Sequence, residues 1–164
     1  MKKFLLSFLL GLICLFSSVA QPVGYTHKAF LPEGCVVNYL VVMQNDSCFI
    51  EVNFDSDLSK FTEQPTMMVR TFDGAVFKLN GSTPVCKVES KLVERDGETK
   101  VVSGFYSTVR FSIEASQMEA MKNGIAKVRL STTPYEHERE FKKDKIGKPL
   151  YEQYLKKKNK DADF

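Results

Sequence analysis

The chain reads as a mainly β protein: an antiparallel β-sandwich or curved meander of about seven strands, with a short helix near 117–123 and a C-terminal helix. Three observations point there. Short runs rich in β-branched and aromatic residues recur, several with apolar–polar alternation. Turn chemistry separates them about every 8–15 residues. No strand–helix–strand alternation runs through the chain, which argues against a parallel sheet.

Residues 35–43 (CVVNYLVVM) are β-branched, and 48–54 set Cys48, Ile50, Val52 and Phe54 against Glu51 and Asn53. Asn45-Asp46 between them predicts a two-residue hairpin turn. Residues 55–65 are polar and read as a loop, with Phe61 packing back. Residues 66–71 and 75–80 flank Asp73-Gly74, and 85–94 and 99–113 flank Asp96-Gly97. Asp-Gly between apolar runs is a strong hairpin signal. In the last limb Val109, Phe111 and Ile113 alternate with Thr108, Arg110 and Ser112, so one face is buried; Gly104 is expected to be a bulge or bend.

Ser116 and Glu119 have the spacing of a capping box for a helix over 117–123, with Met118 and Met121 inward and Gly124 just past its end. Residues 125–131 alternate Ala126, Val128 and Leu130 against Lys127, Arg129 and Ser131. Pro134 ends that strand, and 136–145 form a highly charged run. A last helix starts at Pro149, a residue favoured at the first helical position, and carries a stripe of Leu150, Tyr151, Tyr154 and Leu155. Residues 21–34, with Pro22 and Pro32, read as a leader anchored by Tyr25 and Phe30.

The 164 residues are one domain's worth of chain. Residues 1–20 form a signal peptide: Lys2-Lys3, an apolar stretch over 4–16, then Ser18-Val19-Ala20 before the cleavage bond at Gln21. That stretch is too short for a helix across a ~30 Å hydrocarbon core. No other run is long enough to be an integral membrane segment, so 21–164 is a single exported β-rich domain, periplasmic or secreted, with a basic C-terminal helical segment over 142–164. The net charge of +3 is too small for a nucleic-acid binder. Cleavage leaves 21 basic and 20 acidic residues. Residues 21–141 hold 13 basic against 16 acidic residues, whereas 142–164 hold 8 lysines against 4 acids. Lys142, Lys143, Lys145, Lys156, Lys157 and Lys158 therefore form a surface for an acidic partner or anionic headgroups, unless the helix merely docks its apolar stripe and solvates its lysines.

Cys35, Cys48 and Cys86 remain after cleavage and are the disulfide candidates. The hairpin register opposes Met43 to Cys48 and Val37 to Phe54. Cys35 then lies about 26 Å of strand away from Met43. A disulfide tolerates a Cα separation of roughly 7 Å, which excludes Cys35–Cys48 and leaves a bond to Cys86; Cys35–Cys86 is favoured because both sit at strand starts, beside Gly34 and Pro84. Cys86 shares an inward face with Val88 and Leu92. The other reading is three buried thiols acting as small hydrophobes.

No catalytic residue, cofactor or metal ligand set is nominated. His27 and His137 are the two histidines; His137 lies in a glutamate-rich run and reads as an exposed side chain. No strained Ser elbow or Gly-rich phosphate loop is present. Asp55-Ser56-Asp57 lacks the rest of a calcium loop and reads as a solvated turn. The Asn-x-Ser sequons at Asn45 and Asn80 fall in turns.

The segment ending Ser18-Val19-Ala20-Gln21, the hairpin Met67-Met68-Val69-Arg70-Thr71-Phe72-Asp73-Gly74 and the run Phe141-Lys142-Lys143-Asp144-Lys145-Ile146-Gly147 together resemble small exported proteins, periplasmic or secreted, of Gram-negative bacteria. The resemblance implies no activity and carries no functional residue. The expected function is a non-enzymatic binding module that binds or supports another cell-envelope component. The alternatives are a small exported hydrolase with a carboxylate site, and an inhibitor or host-directed factor.

Overall fold

The computed structural model describes residues 21–28, 34–95 and 97–162. The expected signal peptide, residues 1–20, lies outside them, as do Phe30, Pro32 and Asp96. Among the described residues the strands are β1 (Val23–Lys28), β2 (Gly34–Gln44), β3 (Ser47–Ser56), β4 (Lys60–Phe61), β5 (Thr66–Thr71), β6 (Val76–Asn80), β7 (Val85–Arg95), β8 (Glu98–Ile113), β9 (Ile125–Leu130), β10 (Thr132–Thr133) and β11 (His137–Glu140). Helix α1 (Ala115–Ala120) runs into a 3₁₀ turn (Met121–Asn123), and α2 (Gly147–Ala162) ends the described chain. A five-stranded sheet has the order β1-β2-β3-β8-β7, a four-stranded sheet the order β11-β9-β5-β6, and β10 pairs with β4. All pairings are antiparallel.

The hairpin registers follow the turn residues. Met43 faces Cys48 and Val37 faces Phe54, and Asn45 and Asp46 both have positive φ (48° and 62°), as a two-residue primed turn requires. At Asp73-Gly74 the loop is longer. Gly74 N–H donates to the Thr71 carbonyl and Thr71 N–H to the Ala75 carbonyl, and Gly74 takes φ 93°. The third hairpin pairs Arg95 with Glu98 around Gly97.

Side chains from both sheets meet in one buried cluster, with Tyr39, Ile50 and Phe111 from the five-stranded sheet and Met67, Leu79 and Val128 from the four-stranded one. Met118, Met121, Ile146 and Leu150 add to it from the helical segments. None of the helices among the described residues is long and apolar enough to cross a membrane.

Four expectations are corrected. The leader is a strand: β1 pairs with β2 from Val23↔Tyr39 to Lys28↔Gly34. Gly104 is not a bulge, because the β7–β8 ladder runs through Glu89↔Gly104 without a shift; the register shift lies instead at Arg70/Thr71, against β9. The short helix starts two residues early, with Glu114 as N-cap and its N–H donating to Gln117 Oε1 at 3.0 Å. The charged run over 136–145 contains β11, whose Glu138 and Glu140 face Arg129 and Lys127 across the strand pair.

Helix α2 is tied down at both ends. At its start, Asp144 accepts N–H bonds from Ile125 (2.9 Å), Ile146 (3.2 Å), Gly147 (2.8 Å) and Lys148 (2.8 Å). The helix thus begins at Gly147, two residues before Pro149. A Cβ on Gly147 would lie 2.7 Å from Ile125 N and 2.8 Å from the Met121 carbonyl oxygen, so only glycine lets the helix approach the backbone this closely. Further along, Gln153 replaces Leu155 on the buried face. Beyond the end of β1 the edge of β2 is open. There Gln153 Oε1 accepts from Val41 N–H at 3.1 Å, Gln153 Nε2 donates to the Gln21 carbonyl at 2.7 Å, and Lys157 Nζ donates to the Val41 carbonyl. The helix thereby satisfies strand groups that β1 is too short to reach.

Candidate functional site

Two features stand out from an ordinary sandwich. The first is a polar chain where β11 meets β1 and β2. The alternation of β11 sends His137 inward, opposite to Glu138. Its Nε2 lies 3.0 Å from Tyr25 Oη, its Nδ1 lies 3.6 Å from Cys35 Sγ, and Tyr25 Oη lies 3.2 Å from Tyr39 Oη. The His137 ring stacks on Tyr25 at 5.9 Å and meets Phe54 edge-on at 5.4 Å, and Tyr25 packs edge-on to Phe141 at 5.2 Å. The expectation of an exposed His137 is therefore corrected: it is half-buried and joins one sheet to the other. Burial pushes the Tyr25 and Tyr39 phenols well above their ordinary value of 10.0, so both stay protonated donors at physiological pH.

A thiol beside an imidazole that is oriented by a phenol has the order of a nucleophile, base and orienter. Here Cys35 is only 6% exposed, and the rings of Tyr25, Phe54 and Phe141 pack around the histidine. The arrangement is a satisfied polar stitch between two sheets, with its reactive atom turned into the core.

No disulfide joins Cys35, Cys48 and Cys86 in the structure. Cys35 sits on β2 and Cys86 on β7, with β3 and β8 between them. Three strand spacings come to about 14 Å, twice the reach of a disulfide. Cys48 is buried, which pushes its thiol up to about 11 against a smaller opposite pull from Lys157. Cys86 is exposed and accepts from Ser107 Oγ at 3.5 Å.

The expected lysine surface divides. Lys142, Lys143, Lys145, Lys156 and Lys158 are exposed, and Lys158 Nζ sits 5.7 Å from the Tyr154 ring centre. Lys157 is occupied by the Val41 carbonyl and leaves the set. The helix has docked Leu150 and Tyr154 in the core and turned the other lysines to solvent. Among the described residues no cluster of His, Cys, Asp or Glu could hold a metal. Ser56 Oγ accepts from Leu58 and Ser59 N–H, which makes 55–59 a side-chain-capped turn.

The second feature is the β7–β8 hairpin. β8 pairs with β3 only from Ile113 back to Phe105, where β3 ends at Ser56. Residues 89–95 and 98–104 continue as a two-stranded arm beyond the sheet. The row Val37, Phe54, Ser107, Cys86 fixes which face of the arm continues the core. On that face Val88 is 67%, Leu92 75% and Val101 69% exposed. The inward orientation expected for Cys86, Val88 and Leu92 is correct in hand, but nothing among the described residues covers them. The signal was available in sequence. Limbs of 11 and 16 residues are longer than the 10-residue strand beside them. At the root of the arm, on the opposite face, Glu51, Ser82, Lys87, Tyr106 and Arg110 help line an open concavity of about 480 Å³.

The fold and the site thus define an antiparallel β protein with a projecting, apolar-faced hairpin. The chain matches no protein-family model, no curated protein and no solved structure.

Proposed function

We propose that the protein is an exported binding module which holds or supports another component of the cell envelope, and that the apolar face of the arm is where the partner sits. The observation that carries this reading is the exposure of Val88, Leu92 and Val101 side by side on one face. Leu92 and Val101 are directly paired, and Val88 lies four pairs along beside Phe105, with the Ser90–Ser103 pair between them on the same face. Contiguous apolar patches on a soluble surface mark interaction sites. Two strands alone bury too little apolar surface to stabilise an isolated ribbon, so a partner against that face would also stabilise the arm.

The test is a photo-activated crosslinking residue placed at Leu92 or Val101 of the full chain in its own host. Both positions are expected to give an adduct with one other polypeptide, and the same residue at exposed Lys122 is expected to give none. Equal yields from all three positions, no adduct, or adducts only between copies of this chain would each overturn the reading.

A further inference from the structure

We infer that the outer edge of β7 pairs with the same edge of a second copy of this chain, about a two-fold axis at Ser90, joining two arms into one four-stranded ribbon. The inference rests on the same arm as the proposed function and deepens it, because it assigns an occupant to the arm's edge and leaves the apolar face for the partner.

β7 is the last strand of its sheet: β8 lies on one side, and no described strand lies on the other. An edge strand leaves alternate residues' N–H and C=O groups aimed outward, a template for pairing with another chain. Native edges are blunted by a bulge, a proline, shortness or charged side chains; the charges of β7 alternate in sign at Lys87, Glu89 and Lys91, so a second copy in the right register can pair them rather than oppose like charges. β7 has eleven residues, no proline and an unbroken register from Val85↔Thr108 to Arg95↔Glu98.

The strand is also complementary to itself in one register. A two-fold axis normal to the sheet, centred on a residue, pairs the strand antiparallel with its copy and keeps like faces together. Ser90 is the midpoint of β7, so centring there pairs the full length, Val85 with Arg95 of the second copy. In that register Val88 falls opposite Leu92 of the second copy and Glu89 opposite Lys91 of the second copy. Apolar and opposite-charge cross-strand pairs both favour a sheet, and symmetry supplies each of them twice. Moving the centre to Glu89 sets Lys87 against Lys91, and moving it to Lys91 sets Lys87 against Arg95; like charges directly opposed are unfavourable. Moving it to Val88 leaves only residues 85–91 paired. The full-length register is thus the one that residue chemistry selects, and it merges the two apolar stripes into a single wider face.

The experiment uses Ser90→Cys combined with Cys86→Ser in the full chain. At the axis the two residues 90 face each other with Cα atoms about 4.5–5.5 Å apart, within disulfide range. Mild oxidation should therefore yield a disulfide-linked dimer, and Glu94→Cys in the same background should not. Sedimentation of the unmodified protein should give twice the chain mass. Lys91→Glu should weaken association about tenfold or more, and adding Glu89→Lys should restore it. A monomer at every concentration, equal linking at position 94, or failure of the charge swap to restore association would overturn the inference. A monomer whose Leu92 position still crosslinks to another polypeptide would sink the dimer alone. A dimer without that adduct would sink the partner alone.

Discussion

Phe111→Ala should cost about 3–5 kcal/mol of unfolding free energy, read from urea or thermal unfolding of the full chain. Phe111 is fully buried near the C-terminal end of β8. It pairs across to Ile50 on β3, bridges to Gly81 on its other side and meets Phe61 edge-on at 6.0 Å. Gly81 is glycine because a Cβ there would lie 2.9 Å from the Phe111 ring. The ring therefore fills space between backbones that have little freedom to collapse, and truncation leaves most of its volume empty. Against a typical total of about 5–15 kcal/mol, the loss is large enough to populate unfolded chain at moderate temperature. Phe111→Leu keeps most of the volume and should cost clearly less. Equal stability of Phe111→Ala and the wild type would contradict the packing described.

Asp144→Ala should cost about 2–4 kcal/mol. Its carboxylate caps α2 through three consecutive N–H groups, those of Ile146 and the first two helical residues, and accepts a fourth from Ile125 at the start of β9. One side chain thereby fixes the helix start and its seat on the four-stranded sheet. Burial pushes this carboxyl up, but the four N–H donors more than offset it and hold it below its ordinary value of 3.8. A carboxyl depressed in the folded state contributes stability that is present above its unfolded value and lost as pH falls through the folded value. Wild-type stability should therefore drop as pH is lowered below about 4, and Asp144→Asn should flatten that part of the curve while lowering the plateau. A variant with an unchanged acid limb would show that the carboxylate is not the group responsible. The apolar stripe of α2 was legible in the sequence, but this cap was not. Asp144 lies between lysines in a run whose composition reads as solvent-facing.

The same limit explains what sequence periodicity could and could not resolve. Three hairpins were readable because Asn45, Asp46, Gly74 and Gly97 supply the positive φ values that tight turns demand. β11 was missed because its inward positions are His137 and Arg139 rather than aliphatic residues. The alternation exists, but in glutamates: Glu136, Glu138 and Glu140 point out to Lys127, Arg129 and Arg70. β1 was missed because edge pairing to β2 needs only backbone, and Tyr25 is its one large buried side chain, too little to show an alternation. Lys157 looked like its neighbours in the lysine run; only the helix's position over the β2 edge makes it a strand-capping donor. The arm's face was read correctly as apolar and in line with the core. Burial, however, depends on what stands opposite, and the facing sheet stops short. Local pattern sets which way a side chain points, and tertiary context decides whether anything meets it.

β8 belongs to two regimes at once. From Phe105 to Thr108 it lies between β3 and β7, and on to Ile113 it keeps its pairing with β3. From Glu98 to Gly104 it has β7 alone. Amides in the first part are released to solvent only when the whole sandwich unfolds, and amides in the second whenever the ribbon opens locally. Occupation of the arm would accordingly be recorded as slowed amide exchange confined to residues 89–95 and 98–104. It would leave the exchange of the central strands almost untouched, so the protein could engage a partner tightly while its core kept no trace of the event.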